Sequence, residues 1–90
     1  MQETGTAVLR YWAAAREAAG RSEERTGAPT LGAALSTAVA ERGADGERLA
    51  RVLLRCSFLI DGTQVGRRDP DTVRLAPGTV VEILPPFAGG

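Results

Sequence analysis

Strand-like and helix-like patterns alternate along this sequence. Residues 7–12 and 79–84 are rich in β-branched and aromatic side chains, which favour extended structure. Residues 30–43 instead repeat apolar side chains at helical spacing, between a good N-cap at Thr30 and a stop at Gly43. The members of this apolar stripe are Leu31, Leu35, Ala38 and Val39. We therefore predict a main helix between the first and last strands, with Leu35 in the centre of the core.

Two shorter helices and a second strand are predicted between these elements. Residues 13–19 have high helical propensity and end at Gly20, which is a natural C-terminal stop. Residues 22–26 are short and polar, and we interpret them as an edge strand that forms a hairpin with the first strand. Residues 47–54 repeat apolar side chains on one side and predict a second short helix.

Turn signals divide the rest of the chain into further strands. Asp61-Gly62 is a strong hairpin dipeptide, and it separates a strand over residues 56–60 from a brief partner strand. Pro77-Gly78 marks a turn before the last strand, which is the most apolar and should therefore be central, with the first strand parallel beside it. This order predicts a single α+β domain over residues 1–90, a ubiquitin-like β-grasp whose mixed sheet has about five strands and a helix across one face.

Alternation of period two assigns the strand residues to the two faces of this sheet. Arg10 and Glu82 mark the solvent side of the first and last strands. Trp12 and Leu84 share their parity, and Leu59 faces the same way in the third strand. The residues of opposite parity, which we expect in the core, are Leu9, Tyr11, Val81 and Ile83. Exposed apolar residues on neighbouring strands indicate a docking surface, although scattered ones are ordinary on proteins.

Composition narrows the function classes. The 90-residue chain has 11 basic and 11 acidic residues, so charge gives no argument for a nucleic acid or a membrane partner. The sequence has no apolar run that could span a bilayer and no signal peptide, so we expect a cytoplasmic location. Cys56 is the single cysteine and cannot form an internal disulfide. Histidine is absent, which argues against a zinc site or an ordinary hydrolase.

Cys56 and the arginines leave alternatives open. Cys56 could hold sulfur or act in redox chemistry, but it shares the parity of Phe58 and Ile60, which favours burial as inert packing. All 11 basic residues are arginine, so the chain offers no ε-amine that another copy could acylate. Arg67-Arg68 is either an ionic contact for a partner or part of a solvated loop.

The residues after the last strand suggest where the chemistry lies. Pro85-Pro86 ends the strand, because proline fixes φ and donates no ladder hydrogen bond. Residues 88–90 have almost no side chain, so their backbone could thread a narrow channel in another protein over roughly 10–13 Å. We interpret residues 85–90 as a protruding flexible tail, with the α-carboxylate of Gly90 as the reactive group. A terminus that merely frays is the alternative interpretation.

Four features of the chain occur together. They are Ala15-Arg16-Glu17 after the first strand, the Asp61-Gly62 hairpin, the Pro77-Gly78 turn, and the ending Pro85-Pro86-Phe87-Ala88-Gly89-Gly90. In this combination the chain resembles the MoaD/ThiS family of ubiquitin-like sulfur carriers, and within it the small subunits of molybdopterin synthase. The resemblance covers nearly the whole chain, and its most specific part is the Pro-Pro-x-x-Gly-Gly ending.

The resemblance implies a mechanism and partners. An activating enzyme of the MoeB/ThiF type would use ATP to adenylate the Gly90 carboxylate, and a persulfide sulfur would displace AMP to leave a thiocarboxylate. By the same resemblance, Gly89 keeps the tail slim, and Trp12 and Leu84 fall where such carriers meet the activating enzyme. The carrier itself would bind no cofactor or metal, and it would act as a cosubstrate whose catalytic side chains lie in its partners.

Two further residues join this site on other grounds. Leu59 is included because of its parity, and Phe87 because it could extend the apolar surface from the tail. The candidate residues are therefore Gly90 as the reactive residue, then Pro85, Pro86, Phe87, Ala88 and Gly89 as the tail, with Trp12, Leu59, Leu84 and Phe87 as partner contacts.

The acceptor of the sulfur stays open. The large subunit of molybdopterin synthase is the first hypothesis, and carriers for cysteine, thiamin thiazole or a sulfur-containing secondary metabolite would share this fold and tail. A ubiquitin-like modifier that forms isopeptides with target lysines belongs to another class, and so does a plain interaction module with an inert tail. Lysine-linked adducts in cell extract would identify a modifier, and ATP–pyrophosphate exchange with an activating enzyme would exclude an inert tail.

Overall fold

The element order follows the predicted one closely. The computed structural model describes residues 6–86. Its strands are β1 (Ala7–Tyr11), β2 (Glu23–Thr26), β3 (Ser57–Ile60), β4 (Thr63–Gln64) and β5 (Val80–Leu84), and its α-helices are α1 (Ala13–Ala19), α2 (Leu31–Ala40) and α3 (Gly46–Leu53). Two short 3-10 turns, Gly43–Asp45 and Pro70–Thr72, precede α3 and follow β4. None of the helices within residues 6–86 is long and apolar enough to cross a bilayer.

β5 is the central strand of a five-stranded sheet with the order β2-β1-β5-β3-β4. β1 runs parallel to β5, with Leu9 opposite Val81, whereas β3 runs antiparallel to β5, with Phe58 opposite Ile83. β5 is paired with a strand on each side, and this central position suits the most apolar strand of the chain. The predicted parallel pairing of the first and last strands and the ubiquitin-like β-grasp fold are confirmed.

The predicted hairpin turn at Asp61-Gly62 and the predicted helix end at Gly20 are both confirmed. Asp61 and Gly62 have φ values of 48° and 89°, the left-handed pair that a tight two-residue hairpin needs, and they join β3 to β4. Asp61 also accepts a hydrogen bond from Val80 N through Oδ1 at 2.9 Å, which ties the hairpin to β5. Gly20, with φ 83°, ends α1 by donating its N–H to Arg16 O at 2.9 Å.

The core lies between one face of the sheet and the three helices. The largest side chains buried almost completely are Leu9, Tyr11, Leu31, Leu49, Val81 and Ile83. The alternation predicted for the first and last strands is therefore confirmed, since their inward residues are fully buried. Arg10 and Glu82, which marked the solvent side, are partly exposed on the opposite face.

α2 presents a different stripe to the core from the predicted one. Leu31, Ala34 and Ala38 are buried, whereas Leu35 and Val39 are only partly buried and lie at the edge of the core. The prediction of Leu35 at the centre of the core is wrong. Small residues face the sheet and allow α2 to approach it closely, while the larger ones turn toward a groove beside α3.

The main helix is also shorter than predicted. Thr30 caps it as expected, because its Oγ1 accepts a hydrogen bond from Ala33 N at 3.1 Å. The helix ends at Ala40 rather than Gly43, since the chain there turns into the 3-10 segment that leads to α3. α3 then packs on α2 through Gly46, where an added Cβ would overlap the backbone carbonyl of Val39.

A buried polar cluster joins the sheet to the ends of two helices. The Tyr11 hydroxyl donates to the Glu24 carboxylate, which is paired with Arg42 Nη2 at 3.1 Å. Arg42 also donates through Nε to Ala19 O at 2.9 Å and through Nη1 to Ala38 O at 2.7 Å. One guanidinium therefore satisfies carbonyls at the C-terminal ends of both α1 and α2, where helices lack internal donors.

Candidate functional site

The sheet face opposite the helices carries the predicted docking residues. Trp12, Leu59 and Leu84 lie on this face, which we call the sheet face, and Trp12 is 43% exposed while the two leucines are partly buried. Trp12 N donates to Ile83 O at 3.1 Å, so the pairing of β1 with β5 continues one residue beyond the strand and sets Trp12 beside Leu84. The strand itself ends at Tyr11, one residue earlier than predicted.

The backbone fixes Trp12 at a sharp corner. Trp12 is extended, with φ −121° and ψ 149°, and the next residue, Ala13, has a φ of 48°. A non-glycine residue in this left-handed region costs about 1–2 kcal/mol, so the surrounding structure must hold it there. Trp12 O accepts hydrogen bonds from Ala15 N at 2.9 Å and Arg16 N at 3.2 Å, which start α1. The indole is thus presented from a rigid position.

Register brings Leu59 and Leu84 together. Leu84 pairs with Ser57 across β5 and β3, and Leu59 pairs with Glu82 two residues before it. Leu59 and Leu84 are therefore diagonal neighbours, a separation within reach of large side chains. The short Ser57 side chain leaves the flank of Leu84 uncovered by β3.

The sheet face also carries a charged cluster. In the sequence, two of its members, Arg10 and Glu82, indicated only which side of the strands faces solvent. Arg10 lies 3.6 Å from Glu82 and 3.6 Å from Glu23, across β5 and β2. Val8 and Val80 have the same parity and pair with each other further from the end of β5. The period-two alternation that assigned Trp12 to this face also assigns Val8, Val80 and the charged pair Arg10 and Glu82 to it.

The chain leaves the sheet at the apolar end of this face. β5 ends at Leu84, and Pro85 and Pro86 follow it with no ladder pairing, as predicted. Pro85 therefore leaves the sheet directly after Leu84, at the end of β5 where Trp12 lies. The predicted tail residues Phe87, Ala88, Gly89 and Gly90 lie outside the described residues, and their roles stay predictions.

Cys56 has the environment of a packing residue. It is partly buried against the core, and its Sγ donates to Val52 O at 3.3 Å. Burial raises the pKa of the Cys56 thiol to about 11, so little nucleophilic thiolate is present near neutral pH. Across residues 6–86 there is also no group of three or more His, Cys, Asp or Glu side chains that could hold a metal ion.

The two adjacent arginines of the loop differ in their surroundings. Arg68 donates through Nε to Val65 O at 3.1 Å and through Nη2 to Gln64 O at 3.3 Å, so it braces the loop after β4. Arg67 is exposed. A structural role for Arg68 fits these bonds better than an ionic contact with a partner.

The topology of the sheet is typical of one class of small proteins. A mixed sheet with parallel first and last strands at its centre, covered by helices on one face, is that of the small ubiquitin-like proteins. The family model described as "ThiS family" matches residues 9–90. This chain therefore belongs to the ThiS family.

Similar solved structures agree on the fold. The small archaeal modifier protein 1 from Methanosarcina acetivorans superposes with a TM-score of 0.76 at 20% identity, covering 99% of this chain and 100% of that one. SAMP1 from Haloferax volcanii gives 0.73 at 23% identity, with 96% and 100% covered. The Haloferax volcanii HVO 2177 protein gives 0.69 at 28% identity, with 100% and 92% covered. Among curated proteins, none matches this chain.

Proposed function

We propose that this protein is a sulfur carrier whose Gly90 carboxylate is activated and converted to a thiocarboxylate. The first candidate acceptor is the large subunit of molybdopterin synthase, in molybdenum cofactor biosynthesis. One observation carries the proposal: the central strand β5 leads from the apolar end of the sheet face into Pro85 and Pro86, and the family match continues from there to residue 90.

The chemistry belongs to the terminal carboxylate and to the partner enzymes. The carboxylate attacks the α-phosphate of ATP and releases pyrophosphate, and the acyl adenylate that forms has AMP as a good leaving group. The terminal sulfur of an enzyme persulfide then displaces AMP and forms an acyl disulfide. A second thiol cleaves the sulfur–sulfur bond, which leaves the thiocarboxylate and oxidises that thiol to a disulfide. ATP is consumed by an activating enzyme of the MoeB/ThiF type and is not a resident cofactor of the carrier.

The described residues contribute binding and direction to this chemistry. Trp12 and Leu84 offer apolar area at the point where the chain leaves the sheet, and Arg10 and Glu82 add charges that can fix the orientation of a partner. β5 is paired on both sides, so the exit point of the tail does not move relative to the sheet face. A partner bound to the sheet face would thus receive the tail from a defined position.

The mass of the carrier tests the proposal directly. Intact mass first establishes that Gly90 is the terminal residue of the purified protein. After incubation with ATP, a sulfur donor and the cognate activating enzyme, the wild type should gain the mass of one oxygen-to-sulfur exchange, localised by fragmentation to Gly90. One alanine added after Gly90 moves the carboxylate by about 3.3–3.6 Å, beyond the roughly 1 Å tolerance of a reacting pair, so this variant should fold normally and accept no sulfur.

Two further variants of the carrier locate the sulfur. Gly89→Val should prevent loading, because the side chain obstructs a narrow channel, whereas Cys56→Ser should load as well as the wild type. Equal loading of the extended protein and the wild type, or sulfur mapped to Cys56, would refute the thiocarboxylate mechanism.

Trp12 provides the test of docking. Trp12→Ala should weaken binding to the activating enzyme by about 2 kcal/mol, roughly thirtyfold in Kd, because interface tryptophans are frequent hot spots. Leu54→Ala is the matched control, since Leu54 is 86% exposed and lies on the helical side of the molecule. Equal binding by the two variants would exclude the sheet face as the docking surface.

A ubiquitin-like modifier is the second candidate function. Two of the similar structures are small archaeal modifier proteins, and a modifier would share the sheet face and the activated Gly90. Expression of the tagged protein followed by proteomics should then show Gly90 in isopeptide bonds with target lysines. A carrier should instead restore product formation when it is combined with a purified acceptor synthase, and the synthase that responds identifies the pathway: molybdopterin, thiamin thiazole, cysteine or a secondary metabolite.

A further inference from the structure

α3 carries a stripe of arginines on the helical side of the molecule. Arg48, Arg51 and Arg55 are spaced by three and four residues, so they project from one side of the helix and the turn that follows it. All three are exposed. The ion pairs found over residues 6–86 involve none of them, and Glu47, four residues before Arg51, is also left out of these pairs.

An apolar groove adjoins this stripe. Leu54 lies at the end of α3 with 86% of its surface exposed, the most exposed large apolar side chain among the described residues. On one side Leu54 borders a groove of about 560 Å³ that lies between α2 and α3, and on its other side it borders the arginines. The groove is lined mainly by Leu35, Val39, Ala50, Leu53 and Phe58. The partly buried Leu35 and Val39, which α2 turns away from the core, form one of its walls.

Stability of the isolated chain does not explain this arrangement. A single cation in the last turn is enough to complement the helix dipole, and Arg51 occupies that position. Arg51 and Arg55 are four residues apart, and like charges at this spacing repel each other. A leucine exposed like Leu54 gains nothing from burial in the monomer.

We propose that Arg48, Arg51, Leu54, Arg55 and the groove form a second docking surface, which we call the arginine–groove surface, and that it binds an acidic amphipathic segment of another protein. Apolar side chains of the segment would enter the groove past Leu54, and its carboxylates would pair with the three guanidinium groups. The formal net charge of the chain is zero, so the attraction is local to this stripe.

The proposal does not depend on the sulfur-carrier function. The arginine–groove surface is built from α2, α3 and the core side of β3, whereas Trp12 and Leu84 lie on the other face of the sheet. A partner held on the helical side would therefore leave the sheet face free for a second protein. The two surfaces can be tested independently, because their residues do not overlap.

A synthetic peptide and mapping by NMR test the proposal. The probe is an amphipathic helical peptide with leucines at i, i+3, i+4 and i+7 and glutamates on the flanking positions. Titrated into the isotopically labelled full-length protein, it should shift the amide signals of α3 and of the α2 residues that line the groove, with an affinity that falls as salt is raised. A second peptide with lysine in place of every glutamate, and a third with serine in place of every leucine, should both bind at least about tenfold more weakly.

Variants of the protein complete the test. Arg51→Glu combined with Arg55→Glu should weaken binding of the glutamate peptide by at least about tenfold, and Leu54→Ser should do so by about fivefold, while both proteins keep the dispersed amide spectrum of the folded domain. Trp12→Ala and Arg67→Glu are the controls and should bind within about twofold of the wild type.

Four results would overturn the proposal. The first is peptide-induced shifts confined to the sheet face. The second is equal binding of the glutamate and lysine peptides. The third is groove shifts that depend on protein concentration without peptide, which would make a second copy of this chain the occupant. The fourth is binding of vesicles that contain phosphatidylglycerol but not of the glutamate peptide, which would make the surface a membrane contact.

Discussion

The Arg42 side chain joins the sheet to the C-terminal ends of α1 and α2, so its replacement should lower the free energy of unfolding by a predictable amount. The Arg42 and Glu24 side chains are only 11% and 12% exposed. Arg42→Met keeps the aliphatic length but removes the ion pair, both hydrogen bonds to helix carbonyls, and the contact of the guanidinium with the Tyr11 ring at 5.8 Å. The Glu24 carboxylate would then stay largely buried, with only the Tyr11 hydroxyl and the exposed Arg21 side chain as partners.

The magnitude follows from this burial. Removing one partner of a buried pair typically costs about 3–5 kcal/mol when the other charge stays buried, and the exposed Arg21 side chain compensates the Glu24 charge only weakly. For a domain of this size a loss of 1 kcal/mol lowers Tm by about 5 °C, so Arg42→Met should lower Tm by about 15–25 °C. Arg42→Met combined with Glu24→Gln should recover at least about 1 kcal/mol, since no charge is then buried.

Arg21 offers a matched control for the assay. Arg21 Nη1 lies 3.6 Å from the same Glu24 carboxylate, but its side chain is 61% exposed, so Arg21→Met should cost less than about 1 kcal/mol. Urea unfolding followed by circular dichroism gives the free energy of unfolding for each variant. An Arg42→Met protein as stable as Arg21→Met would show that the buried cluster contributes nothing and would refute this reasoning.

Three further predictions follow from the core and its titratable groups. Leu49→Ala should lower the free energy of unfolding by about 2–5 kcal/mol, and Leu35→Ala by clearly less, because Leu49 is fully buried and Leu35 is only partly buried; equal losses in urea unfolding would contradict the assigned helix faces. Burial raises the pKa of Cys56 from an ordinary value near 9 to about 11, and burial together with the hydrogen bond to Glu24 raises the pKa of Tyr11 well above its ordinary range. A group whose pKa is higher in the folded than in the unfolded state stabilises the fold fully below its unfolded-state pKa, and this stabilisation is lost as the pH rises through its folded-state pKa. The free energy of unfolding should therefore fall from about pH 9 upward, and Cys56→Ala should flatten that fall between about pH 9 and 11. The absorbance of the single tyrosine follows the titration of Tyr11 separately, and an ordinary pKa there would contradict its burial. Gly46→Ala should cost about 1–3 kcal/mol, because a Cβ there meets the backbone of α2, and an unchanged Tm would show that α2 and α3 do not pack this closely.

The strand faces could be predicted because period two leaves only two choices for each strand. One charged residue in each strand, Arg10 in β1 and Glu82 in β5, was enough to identify the solvent face, and the residues of opposite parity are the buried ones. The grouping of Trp12 with Leu84 then depends only on the adjacency of β1 and β5, which the apolar character of the last strand indicated.

The helix faces were harder to predict because a helix offers a continuous range of orientations. On α2 the larger apolar side chains favoured Leu35, but close packing against the sheet selected Ala34 instead, and this depends on α3 as a neighbour. The Arg42 cluster could not be predicted either. Its members Tyr11, Glu24 and Arg42 are 13 and 18 residues apart along the chain, so no local sequence pattern predicts that their side chains contact each other.

The central position of β5 has a mechanical consequence. Pro85 follows Leu84 directly, so a pull applied there along the axis of β5 acts perpendicular to the hydrogen bonds of the strand. The ladders with β1 and β3 would then be loaded in shear, where many bonds share the force, rather than being unzipped one at a time. When the tail is withdrawn from the partner channel that we propose for it, we therefore expect the contact with that partner to break while the sheet stays intact.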